Sequence, residues 1–151
     1  MSRTLAFIVA AFGVLAAADA AAQADCYAGL RPALERAGVK DLDCEHFDRE
    51  IKHLGRTAAW RGHSYDVYRM FSRDKPKGFG VPRGYTRILI FDGGGRFLGQ
   101  YGGLNQPYRM KIVGSDVVLD LPPEDGNRIH LGRAKPPARV HLDGDYYDLS
   151  K

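Results

Sequence analysis

The spacing of apolar positions changes character along the chain. Between residues 27 and 38, Leu30, Leu34 and Ala37 fall on one helical stripe, Pro32 suits only a first turn, and Gly38 is a natural stop, so a short helix is expected. From about Asp43 to Thr57, Cys44, Phe47, Ile51, Leu54 and Ala58 again recur at helical intervals. This predicts a second helix, capped by Asp41 or Asp43. Beyond Trp60 the period shortens to two. Tyr65, Val67, Arg69 and Phe71 alternate with Ser64, Asp66, Tyr68 and Met70, as in a strand, and a basic loop with two prolines follows.

The stretch from Tyr85 to Tyr101 organises what remains. A run of β-formers meets the turn Asp92-Gly93-Gly94-Gly95, and Arg96 to Tyr101 leads back, which reads as an antiparallel hairpin. Its first strand carries Thr86, Ile88 and Ile90 on one face and Tyr85, Leu89 and Phe91 on the other, so both faces need cover and the strand is central.

Two later turns set registers that can be checked. Gly114-Ser115 suits a type II′ turn, which opposes Ile112 to Val117, Met110 to Leu119, Tyr108 to Leu121 and Arg109 to Asp120. Asp143-Gly144 suits a type I′ turn, which opposes Val140 to Tyr147, Ala138 to Leu149 and Arg139 to Asp148. A short strand near Arg128 to Leu131 completes a meander. The expected fold class is α+β: an N-terminal helix pair (residues 25–58) packed on an antiparallel β-meander of six or seven strands (residues 60–151). The helices would cover either Ile88 and Ile90 or Leu89 and Phe91.

The first residues change the picture of where the chain works. Arg3, an apolar run from Leu5 to Ala18, and the small-x-small triplet Ala22-Gln23-Ala24 form the pattern of a cleaved signal peptide over residues 1–24, leaving one domain from 25 to 151. The apolar run is short for a membrane span, and Asp25 stands where lipidation of Cys26 would need a small residue. Export to the periplasm or beyond implies an oxidising compartment, in which Cys26 and Cys44 pair. The formal net charge of +4 is unevenly spread, with ten Lys or Arg between Arg49 and Arg87 against Glu50, Asp66 and Asp74. That balance and export disfavour nucleic acid as a partner.

Candidate chemistry is sparse. No serine stands in a G-x-S-x-G elbow, and bonded cysteines leave no thiol nucleophile. His46, Glu50 and His53 would share a face of the second helix and offer a weak metal site, although not at H-E-x-x-H spacing. The Asp92–Gly95 turn is followed by a strand, whereas a phosphate loop opens a helix. No cofactor is implied. What stands out is a basic and aromatic surface. Lys75, Lys77, Arg83 and Arg87 interleave with Phe79 and Tyr85, and the neighbouring loop adds Asn105, Gln106 and Tyr108, a composition suited to an acidic protein or envelope component.

The expectation is therefore an exported, non-enzymatic binding domain. Its plan, a small exported β-rich domain with one disulfide, resembles periplasmic inhibitor and immunity proteins, among them the bacterial lysozyme inhibitors, but it lacks the S-G-x-x-Y element associated with the latter. Two alternatives remain: a small hydrolase whose site is assembled from distant residues, and a metal-binding protein using His46, Glu50 and His53.

Overall fold

The computed structural model describes residues 25–40, 42–74, 83–121 and 127–151. The leader expected at 1–24, Asp41, and the binding candidates Lys75, Lys77 and Phe79 lie outside them. The Asp25 carboxylate accepts from the N–H groups of Tyr27 and Gly29, each at 3.1 Å, and winds the chain into a short helix, α1 (Arg31–Arg36). Leu34 is buried, Pro32 sits in the first turn, and Gly38 (φ 80°) ends the element as expected.

The second helix does not form, and the helix pair is corrected to one short helix with nine strands among the described residues. Residues Phe47–Arg56 are a strand, β1, paired antiparallel with β2 (Tyr65–Asp74). A four-residue spacing such as Phe47 to Ile51 fits a strand's period as well as a helix's. Two features disguised the alternation. Arg49 occupies an inward position between Phe47 and Ile51, and Leu54, three residues after Ile51, falls on the opposite face, with a bulge between His53 and Gly55 shifting the phase just beyond it.

β3 (Gly84–Asp92) and β4 (Phe97–Leu104) extend this first sheet in the order β1-β2-β3-β4, with the Asp92–Gly95 turn where the sequence placed it. β5 (Met110–Val113), β6 (Asp116–Leu119) and β7 (Arg128–His130) form a second antiparallel sheet, and β8 (Arg139–Leu142) with β9 (Asp145–Asp148) a third. The predicted registers hold for Ile112/Val117, Met110/Leu119, Val140/Tyr147 and Arg139/Asp148. Gly114 alone of its turn pair is left-handed (φ 62°), while Asp143 and Gly144 both are (φ 50° and 83°), as the two turn types require. The Tyr108/Leu121 pair does not form, because β5 starts at Met110 and Tyr108 turns into the core.

The three sheets follow one another round a single core. β4 meets the end of β9 through reciprocal Gln100–Ser150 backbone bonds (2.7 and 3.0 Å), β8 neighbours β7, and β1 approaches β5, with the Ala58 N–H donating to the Gly114 carbonyl at 2.8 Å. Ile88, Ile90, Val67, Tyr101, Val117, Leu119, Ile129 and Leu142 fill the interior. Tyrosine hydroxyls cross the seams: Tyr65 donates to the Arg133 carbonyl (2.7 Å), Tyr101 to the Pro137 carbonyl (2.6 Å), and Tyr108 to Asp143. The opposite face of the first sheet, carrying Leu89 and Phe91, is covered by α1 and its flanks, with Tyr27, Leu34, Met70 and Phe97 in a second cluster. Cys26 and Cys44 are bonded at the rim of that cluster, 18 residues apart. Among the described residues no helix is long and apolar enough to cross a membrane.

Candidate functional site

Strand alternation decides which side chains share the covered outer face. Phe47, Arg49 and Ile51 of β1 and Tyr85, Arg87 and Leu89 of β3 repeat one motif, aromatic-x-Arg-x-aliphatic, so each arginine stands beside an aromatic ring. Across the sheet Arg49, Ser72 and Tyr85 form one row, and the small, fully buried Ser72 leaves the larger groups to flank it.

The arginines stack on the rings. The Arg49 guanidinium carbon lies 4.8 Å from the Tyr27 centroid and 4.8 Å from that of Phe47, and Arg87 lies 5.0 Å from the Tyr85 centroid. Phe47 and Tyr85 meet edge to face at 6.4 Å, so the set is continuous. Arg31 also covers Tyr27, but its donors are committed to Asp25 (3.2 Å), the Leu42 carbonyl (2.9 Å) and Cys44 Sγ (3.0 Å).

Arg49 and Arg87 are not committed in this way. Among the described residues Arg49 Nη1 reaches only Cys26 Sγ at 3.5 Å, a weak acceptor, and its buried Nε has no partner. Arg87 Nη1 makes one long contact, 3.4 Å, with Gln100 Oε1. Among the described residues neither meets a carboxylate. Both act on Tyr27, whose phenol is pushed up by burial and partly drawn back by Arg49, Arg87 and Arg31, which keeps it neutral.

These side chains line a cleft of about 240 Å³ whose apolar wall comprises Leu34, Val39, Leu42, Met70 and Leu89, with Lys40 also at the cleft. A second, shallower groove of about 540 Å³ continues from it, sharing Tyr85, Arg87 and Gln100 and running past Gly102, Gly103 and Asn105. The structure thus brings Tyr85 and Asn105 to one wall. Arg83 stands exposed just before β3, its carbonyl accepting from the Asp74 N–H at 2.9 Å. Tyr108 goes elsewhere, since it is 7% exposed and its hydroxyl is held by Asp143. Burial first, then Asp143, push that phenol up to about 12.

The proposed metal ligands are dispersed by the strand that replaced the helix. Glu50 pairs with Arg69 on one face; His53 lies on the other, stacked on Tyr68 at 4.5 Å and 3.4 Å from Asp66; His46 precedes the strand and contacts Asp43 at 2.7 Å. Among the described residues no group of three His, Cys, Asp or Glu is placed to hold a metal. A larger concavity, about 690 Å³ at one end of the ring, includes His63, Ser64, Asp92, Arg96 and Lys135. Asp92 is committed to its own turn, accepting from the N–H groups of Gly94 (3.0 Å) and Arg96 (2.9 Å) and pairing with Arg96 Nε (3.0 Å). No described hydrogen bond links it to His63 or Ser64.

Sequence reasoning reached Tyr85 and Arg87 but missed Arg49, which entered it only in the count of basic residues from Arg49 to Arg87. The repeated aromatic-x-Arg-x-aliphatic motif was the signal that could have found it. Comparison with known family models, with curated proteins and with solved structures found no match to this chain.

Proposed function

We propose that this chain is an exported, non-enzymatic periplasmic domain that binds an acidic protein or envelope component at the face built from Arg49, Tyr85 and Arg87. The observation that carries the reading is the pair of guanidiniums stacked on aromatic rings with no carboxylate partner among the described residues. Stacking orients an arginine before any partner arrives, so little side-chain freedom is lost on contact, and Arg and Tyr are the residues that dominate binding energy at protein interfaces. Export is supported by the leader pattern at residues 1–24 and by the Cys26–Cys44 bond.

The test is capture from an envelope extract by three immobilised proteins: wild type, Arg49→Gln/Arg87→Gln, and Arg61→Gln, which removes a cation over the exposed Trp60. An acidic component retained by wild type and Arg61→Gln, and lost from the double variant, is the expected result. Equal retention by all three contradicts the reading.

A further inference from the structure

We propose that the cleft receives the C-terminal residue of a partner polypeptide, with its α-carboxylate at Arg49 and Arg87 and an apolar side chain against Leu34, Val39, Leu42, Met70 and Leu89. This rests on the binding reading above and names the part of the partner that enters. Three observations define the occupant. The cleft, at about 240 Å³, lies below the range of drug-sized pockets, so it suits one large side chain. Its wall is apolar while its charged lining among the described residues, Arg49, Arg87 and Lys40, is cationic, which calls for an anion joined to a compact apolar body. The Arg49 Nη1, held only by the weak acceptor Cys26 Sγ among the described residues, and the thinly engaged Arg87 supply donors that a carboxylate accepts.

The adjoining groove argues for a chain end and against a free small acid. It begins at Tyr85 and Arg87, where the Arg87 stem packs over Gly102, and passes Gly103, where the absent side chain leaves room for the residues that precede a terminus. A free acid would fill the cleft and leave this track unused.

Calorimetric titration of the wild-type protein with acetyl-Ala-Ala-Ala-Phe as the free acid, as its C-terminal amide, and with N-acetylphenylalanine tests the proposal without depending on a variant's folding. The acid is expected to bind at least about tenfold more tightly than the amide, and more tightly than N-acetylphenylalanine. Arg87→Gln, at a half-open position, should reduce the acid's affinity to near that of the amide. Equal binding of acid and amide, equal binding of N-acetylphenylalanine, full competition by inorganic phosphate, or no binding of the tetrapeptide acid each overturns it. Arginine-dependent capture of an acidic component together with any of those outcomes would leave the binding reading standing and remove only this inference.

Discussion

Arg49→Met separates a cation kept for packing from one kept for recognition. The substitution retains an unbranched stem and removes the guanidinium. It forfeits two cation–π stacks, each worth about 0.5–1 kcal/mol. It also removes a buried donor that has no acceptor, whose desolvation costs about 1–3 kcal/mol. The opposing effects are of similar size, so the net change should lie between a loss of about 1 kcal/mol and a gain of about 2 kcal/mol. Arg31→Met is the control, because that guanidinium bonds the Leu42 carbonyl at 2.9 Å and a half-exposed Asp25. It should lose about 1–2 kcal/mol, mostly from the stranded carbonyl. Urea unfolding with the disulfide intact reads both, from shifts in midpoint at constant slope. A loss of 3 kcal/mol or more for Arg49→Met would refute the reasoning by making Arg49 a structural residue.

The remaining predictions concern the frame that holds this face. Replacing Cys26 and Cys44 together by Ala should destabilise by about 3 kcal/mol through the loop-closure effect, and the exported protein should show no alkylatable thiol before reduction, as intact mass will read. Tyr101→Phe strands the Pro137 carbonyl at the junction between β4 and the 132–138 loop and should cost about 1–3 kcal/mol by thermal or urea unfolding. Acid should weaken the fold. Asp66 is held below the usual carboxylate range by its hydrogen bond from Arg56, and Asp92 by the Arg96 N–H. Because the folded values are depressed, their stabilisation is complete above about pH 4 and is lost as pH falls below it, so the unfolding midpoint should drop between about pH 4 and pH 2. A flat midpoint over that window would show these contacts contribute nothing.

Turn chemistry was legible because it is local. Gly114-Ser115 and Asp143-Gly144 impose backbone signs that only certain residues accept, and those signs fix the pairing of Met110 with Leu119 and of Arg139 with Asp148 before any tertiary contact exists. The segment from Phe47 to Arg56 was not legible, because its strand identity comes from pairing with Tyr65–Asp74, a partner that a local pattern does not contain. Its inward arginine and its bulge then broke the alternation that would have betrayed it. The candidate face was half readable for the same reason. Tyr85 and Arg87 lie on a strand with a clear period, whereas Arg49 joins them only once β1 is laid against β2 and β3. Tyr108 was read as a loop residue free for a partner, but its ring packs into the core and its hydroxyl closes onto Asp143, 35 residues away.

Photo-cross-linking in the cell envelope tests the central claim most directly, with p-benzoylphenylalanine placed at Tyr85 in one strain and at Tyr146 in another. Tyr146, 72% exposed and on the hairpin of the third sheet, is the most open large hydrophobic side chain among the described residues and so offers a fair competing surface. A discrete adduct is expected from position 85, reduced by a second substitution of Arg87→Gln, and none from position 146. Adducts from 146 with none from 85 would place the partner elsewhere and contradict the claim.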